Sequence, residues 1–256
     1  MKKLKVSLFL TLVAMMMFSC ASKKNYVYYN EIDSKNLFQI NFSTEFQTDD
    51  LLMIIVSAQD PKAAQPFNVM TQMTVNPESQ NVAGQYQQQL YLVNNKGEIE
   101  FPILGTLKVA GKTREQFTKE LQEKISKYIL NPIVNIRIMN YQIAVQGEVT
   151  IPGVYRFESE KVSLPEVLAK AGDLSIYGNR TNVLVIREIN GVRTTKRIDL
   201  TKSDFMFSDF YYLKQNDIVY VEPNKVKVNS SAVGPNVSVM LSILSSVIAI
   251  VALAIR

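Results

Sequence analysis

Thr113–Ile138, TREQFTKELQEKISKYILNPIVNIRI, encodes one helix followed by one strand, with limits that can be read from the residues. Thr113 followed three residues later by Gln116 is a capping box: a hydroxyl for one free amide, a carboxamide for the other. Phe117, Leu121, Ile125 and Ile129 then recur at spacings of four, one apolar face of an amphipathic helix. Asn131-Pro132 stops it, because proline has no amide to donate and clashes with the preceding turn. From Ile133 the period changes to two. Val134, Ile136 and Ile138 lie on one side, Asn135 and Arg137 on the other, which predicts a half-buried strand.

The same grammar repeats downstream. Tyr141–Val149 is an expected strand, Pro152-Gly153 fits the centre of a type II turn, and Tyr155–Phe157 returns. Ser163-Leu164-Pro165-Glu166 is a second capping box, opening a short helix with Leu164, Val167, Leu168 and Ala171 inward and Gly172 at its C-terminal cap. Asn182–Ile189 and Val192–Leu200 flank Asn190-Gly191, the strongest hairpin signal in the chain, and Val219–Val221 closes the unit. Upstream, Leu51–Val56 reads as a strand. Leu90–Val93 and Glu98–Phe101 read as a hairpin across Asn94-Asn95-Lys96-Gly97. Gln59–Gln89 has three prolines and few periodic apolar residues, so it is expected to be largely loop. It is either a contact with neighbouring subunits or a surface excursion. Strands with one helix per unit predict α+β in two small mixed domains.

Both flanks carry membrane addresses. Lys2, Lys3 and Lys5 precede an apolar run of 13 residues, Val6–Phe18, which is a signal-peptide pattern too short to span a bilayer. The run ends at Ser19-Cys20, and Cys20 is the only cysteine. The arrangement resembles a bacterial lipobox, with Met17 where leucine is usual, and that resemblance implies acylation of Cys20. A buried core thiol is the plainer alternative. Ala21 after the cysteine implies, by the same resemblance, sorting to the outer membrane. At the other flank Val237–Ile255 is a run of 19 residues without a charge, roughly 28 Å as a helix. Ser238, Ser242, Ser245, Ala249 and Ala252 follow spacings of 4, 3, 4 and 3, one face of small and polar residues. That face suits either a plain single-pass anchor or a helix that assembles with its own copies.

Composition excludes much. The chain contains no histidine, so Ser-His and Cys-His nucleophiles and His/Cys zinc sites are ruled out, and no paired-carboxylate motif stands out. The 28 basic against 23 acidic residues give +5. Without Lys2, Lys3 and Lys5 the excess falls to +2, scattered rather than clustered, so no nucleic-acid footprint is expected. We expect no enzyme and no cofactor.

The ordered motifs resemble those of bacterial polysaccharide export proteins, the outer-membrane lipoproteins of capsule and exopolysaccharide secretion. Gly97-Glu98-Ile99-Glu100-Phe101-Pro102-Ile103-Leu104-Gly105 looks like that family's G-x-(I/V)-x-x-P-x-x-G block. Val109-Ala110-Gly111-Lys112-Thr113 is similar to its V-x-G-x-T segment. Val145-Gln146-Gly147-Glu148-Val149 with Pro152-Gly153-Val154-Tyr155 resembles the opening of the SLBB β-grasp module, and Asn216–Val221 resembles its closing strand. Asp49-Asp50 stands where Gly-Asp is usual, and Ala171-Gly172-Asp173 where Ala-Gly-Gly is usual.

The resemblance implies a signal peptide at 1–19, a lipidated tether at 20–47, an export domain at 48–140 and one SLBB domain at 141–223. A linker at 224–236 and a membrane-spanning helix at 237–256 would follow. It further implies a homo-oligomeric ring, with eight copies as one expected number, whose body stands in the periplasm and whose tail helices cross the outer membrane. Polysaccharide would be the cargo and an inner-membrane polysaccharide co-polymerase, often a tyrosine kinase, the partner. The competing expectation is a membrane-anchored periplasmic glycan-binding or assembly scaffold without a pore. A carboxylate-dependent glycan hydrolase is a third. Tyr86, Gln87 and Gln88 are of the residue types that grip glycan, but nothing in their spacing singles them out, and the glycan-contacting residues stay unassigned.

Overall fold

The computed structural model describes residues 26–30, 42–72, 86–189 and 191–232, and in the C-terminal run residues 239, 241–243, 245, 246, 249 and 250. The signal segment, Cys20, Ser238 and Ala252 lie outside the described residues.

The first domain runs β1 (Leu51–Ser57), α1 (Pro61–Ala64), β2 (Met70–Gln72), β3 (Tyr86–Gln88), β4 (Leu90–Leu92), β5 (Glu98–Phe101), β6 (Gly105–Lys108), α2 (Arg114–Ile125) and β7 (Ile133–Ile138). Strands β4, β1 and β7 form an antiparallel sheet in that order, with Leu52 opposite both Tyr91 and Ile138. Helix α2 packs on β7, and Phe117, Leu121 and Ile125 are fully buried. Each such side chain contributes about 1.5–3 kcal/mol relative to exposure. Its capping box forms in both directions between Thr113 and Gln116. Thr113→Ala should therefore cost about 1 kcal/mol in a chemical-denaturation midpoint, while Thr113→Ser should cost much less.

The second domain runs β8 (Gln142–Gly147), β9 (Gly153–Arg156), β10 (Val162–Ser163), α3 (Leu164–Lys170), β11 (Gly178–Ile189), β12 (Val192–Ile198), β13 (Tyr212–Leu213), β14 (Ile218–Pro223) and α4 (Lys225–Ala232). Five strands pair in the order β12-β11-β14-β8-β9, all antiparallel except β14 against β8. Where that parallel pair ends, Gly147 has φ +89°, and a Cβ there would lie 2.1 Å from the Val221 carbonyl oxygen. Only glycine lets the two backbones approach so closely. Leu164, Val167, Leu168 and Ala171 face inward from α3 and its C-terminal cap. The fold is thus mixed, with several small sheets and few helices.

Several expectations are corrected. Gly97 does close a turn, with Asn94 donating to the Glu98 carbonyl, but the flanking strands do not pair with each other. Strand β4 pairs with β1 and β5 with β6, because the core takes β4 into the sheet and leaves β5 beneath it. Gly153 does not occupy a left-handed position. It is the first residue of β9, opposite Val145, so the connection is a longer loop rather than a type II turn. The Gln59–Gln89 segment is organised at both ends by α1, β2 and β3. Asn68 ties it to the sheet by accepting from the Val56 amide and donating to its carbonyl. The expected linker at 224–236 contains helix α4, because Asn224 caps it by accepting from the Lys227 amide. Nor is the 20–47 segment a plain tether: Phe46 is in the core and residues 26–30 lie on the second domain.

The two domains share one continuous hydrophobic core. Tyr141, at their junction, is 1% exposed and donates its hydroxyl to the Leu213 carbonyl. Asn140 bridges the first domain by accepting from the Leu51 amide and donating to the Asp49 carbonyl. Its own carbonyl accepts from Gln215, whose other side-chain atom accepts from the Gln142 amide. Asn140 and Gln215 thus each use both side-chain polar atoms at this joint.

Candidate functional site

The N-terminal flank and the segment that leads to the apolar C-terminal run meet at one pole of the second domain. Tyr29 and Asn30 donate their amides to the carbonyls of Leu200 and Thr201, at 3.2 and 2.7 Å. The Tyr29 ring stacks on Phe205. The Tyr28 hydroxyl donates to Asp173 at 2.6 Å, and its phenol is held well above the usual tyrosine range, first by burial and then by that bond. Arg180 donates to the carbonyls of Leu174, Ser175 and Gly178. So fixed, its guanidinium lies 5.5 Å from the Tyr26 ring and 5.8 Å from Tyr28, distances at which the ring face attracts a cation.

Helix α4 starts at the same place. Asn224 donates its amide to the Tyr177 carbonyl, while Lys227 lies over the Tyr177 ring and pairs with Glu148 at 3.6 Å. Tyr26, Arg180, Thr181, Asn224, Lys225 and Val226 line one cleft of about 350 Å³ between the two flanks. Cys20 lies six residues before Tyr26.

Of the small and polar face expected on the C-terminal run, Ser242, Ser245 and Ala249 are described, each helical and exposed. Ser245 and Ser246 both return their hydroxyls to the Ser242 carbonyl, at 2.9 and 2.8 Å. Such bonds satisfy a hydroxyl within its own helix, which an apolar environment requires. Among the described residues no helix is long and apolar enough to cross a membrane.

A second feature is the cleft of about 520 Å³ between the domains. Phe42, Ser43, Thr44, Arg114, Arg137, Glu158, Glu160 and Lys161 are among its lining residues. Arg114 and Glu160 join across it as an ion pair. The cleft offers donors and acceptors of both signs. Among the described residues no cluster of three metal-ligating side chains occurs. Gln88 is occupied structurally, donating to the Ile54 carbonyl at 2.8 Å, and Gln87 is exposed.

Two buried charged features escaped the sequence reading. Arg187 and Asp217 form a forked ion pair, 5% and 0% exposed, and Arg187 also donates to the carbonyls of Asp209 and Tyr212. Asp50 is 1% exposed. One of its oxygens accepts from the Gln47 amide, and the other has no partner among the described residues. Burial pushes the Asp50 carboxyl up to about 7, against the Gln47 bond and with help from Glu160 and Asp49.

Residues 42–139 match the family described as polysaccharide biosynthesis/export protein, and residues 141–221 match the SLBB domain. The chain is 30% identical over 163 residues to the EPS I polysaccharide export outer membrane protein EpsA of Ralstonia solanacearum. That alignment covers 61% of this chain and 43% of the relative. The protein of the same name from Ralstonia nicotianae is 29% identical over 153 residues, covering 57% of this chain and 40% of that one. The chain thus spans less than half the length of these relatives.

Proposed function

We propose, for a chain that carries a polysaccharide biosynthesis/export domain followed by an SLBB domain, that it is a subunit of an outer-membrane conduit for capsular or exopolysaccharide. The observation that carries this reading is the shared pole: the segment six residues after Cys20 and the helix that leads to the apolar run lie side by side. An acylated Cys20 and a membrane helix over 237–256 then enter the same bilayer from the same end of the second domain. Acyl chains contribute about 0.8 kcal/mol per buried CH₂, so they set the pole against the membrane and leave the export domain in the periplasm. There it faces an inner-membrane polysaccharide co-polymerase. The relatives are named outer-membrane export proteins, which agrees with this placement.

In this reading the tail helices assemble into a ring, with Ser238, Ser242, Ser245, Ala249 and Ala252 turned away from lipid toward neighbours and lumen. Small residues let helices approach closely, and hydroxyls at membrane depth face protein or water. A wet pore with few fixed charges suits a hydrated glycan. The subunit conducts and performs no reaction.

Electron microscopy of the full-length protein extracted in detergent from outer membranes tests the reading, with closed rings around a central opening as the expected result. Single or paired subunits would favour the anchored scaffold instead. Replacing Ser238, Ser242 and Ser245 together by leucine should retain the protein in the inner membrane or stop export. Unaltered export by that variant would remove the role given to the tail.

A further inference from the structure

The outward face of the β4-β1-β7 sheet is apolar where an antiparallel sheet usually meets water with polar residues. Leu90, Leu92 and Ile133 are exposed on it at 38%, 58% and 66%, and Met53 and Ile55 lie half-buried between them. Arg137, opposite Met53 in the register, is the cation at the edge of this face, where it also lines the cleft between the domains with Glu158 and Glu160. It is exposed and belongs to none of the ion pairs among the described residues. Asn135 opposite Ile55 and Ser57 opposite Ile133 are the exposed polar residues among them, and a largely apolar face of this kind marks an interaction site.

The β5-β6 hairpin lies on the other side of the core. Its inward residue Phe101 packs on Tyr91, which points down from the sheet's buried face, at 5.3 Å between ring centroids. The hairpin therefore covers the face opposite to the apolar one. Its turn holds Ile103 at φ +66°, 53% exposed, closed by the Leu104 amide donating to the Pro102 carbonyl at 2.7 Å. A β-branched residue is strained in that region, and its side chain gains nothing in water. Beside the turn stands Glu100, exposed and accepting from the Thr106 hydroxyl.

We infer that these two features are the two halves of one contact: the Ile103 turn of one copy docks on the outward sheet face of the next, and Glu100 meets Arg137. An apolar knob with a carboxylate matches a largely apolar face that carries a cation. Their position on opposite sides of one domain is what a head-to-tail contact requires, and such contacts close into rings when the rotation allows. The inference rests on the ring-forming reading above and assigns its subunit contact in the export domain.

The test is a charge exchange in the full-length lipidated protein in detergent, with assembly read by light scattering and electron microscopy. Arg137→Glu and Glu100→Arg, each alone, should cut the assembled fraction at least about tenfold by setting like charges together. The double exchange should restore assembly to near wild type, the coupling expected of a direct pair. Ile103→Gly should lose assembly with an unchanged or higher melting temperature, a combination that damage to the fold would not give. If wild type forms rings and all three charge variants form them equally well, the contact lies elsewhere and the ring stands. Failure of the double along with the singles also overturns the pairing. A wild type that stays monomeric overturns the ring reading itself.

Discussion

Replacing Arg187 by leucine is expected to lower the unfolding free energy of the protein by about 3–5 kcal/mol, because it strands a buried carboxylate. Asp217 is fully buried between β14 and the turn before it, accepting from Arg187 through both oxygens and from the Lys214 amide. Burial already pushes the Asp217 carboxyl above its ordinary range, and Arg187 is the main influence holding it down. Without the guanidinium, Asp217 must take up a proton or draw in water. The carbonyls of Asp209 and Tyr212 lose their donor at the same time. Arg187 further lies 4.4 Å from the Phe210 ring centroid, so the segment between β12 and β14 is pinned through this one side chain. Replacing both partners, as Arg187→Leu with Asp217→Leu, should cost less than Arg187→Leu alone, since no buried charge is then left unpaired. Denaturant titration of the three variants decides. A loss below about 1 kcal/mol for Arg187→Leu would mean that water already reaches the pair.

Asp50→Asn is expected to stabilise the protein above neutral pH, by about 2–4 kcal/mol at pH 8, and to change little at pH 4. The carboxyl is 1% exposed, with one oxygen lacking a partner among the described residues. Its titration is raised from 3.8 to about 7, chiefly by burial. Between those values the folded protein holds a proton that the unfolded chain has released. Stability from this group is therefore present at low pH and lost as pH rises through that window, opposite to the usual surface carboxylate. Asparagine has the shape of the protonated acid and cannot ionise, and it keeps an oxygen for the Gln47 amide. Asp217, also raised, is present in both proteins, so the difference between them isolates Asp50. Denaturant midpoints of wild type and variant at pH 4, 6 and 8 measure it. A gap that does not widen with pH would show that Asp50 keeps its charge when folded.

Both of these residues lie on periodicities that were legible. Arg187 continues the inward parity of Val183 and Val185, and Asp50 that of Leu52, Ile54 and Val56. A charged residue in phase with a buried row signals a buried charge. The row itself does not tell what pairs with it, because Asp217 lies 30 residues from Arg187 in sequence and meets it only across neighbouring strands. The capping boxes at Thr113 and Ser163 were legible in full, since a cap is satisfied within four residues. So was the hairpin of β11 and β12, with Gly191 at φ +76°. The turn at Gly97 was legible as a turn but not as a connection between unpaired strands. Which strand β4 joins is settled by burial of Tyr91 against Leu52, two residues brought together from distant parts of the chain.

The functional pole divides in the same way. The two apolar runs and the single Cys20 are properties of consecutive residues, so the membrane attachment proposed above is an expectation drawn from sequence. That Tyr26 and Lys225 line one cleft could not, because it depends on Tyr29 and Asn30 finding the backbone of Leu200 and Thr201. The apolar face of the first sheet and the strained Ile103 opposite it were equally out of reach. Alternation along a strand says which residues share a side; which side is covered depends on where α2 and the β5-β6 hairpin pack. By itself the sequence determined the central helices and strands and their caps, because each depends on contacts within a few residues. The tertiary structure alone decided the strand partners, the buried charge pair, the common pole and the uncovered face, because each depends on which distant residues exclude water together.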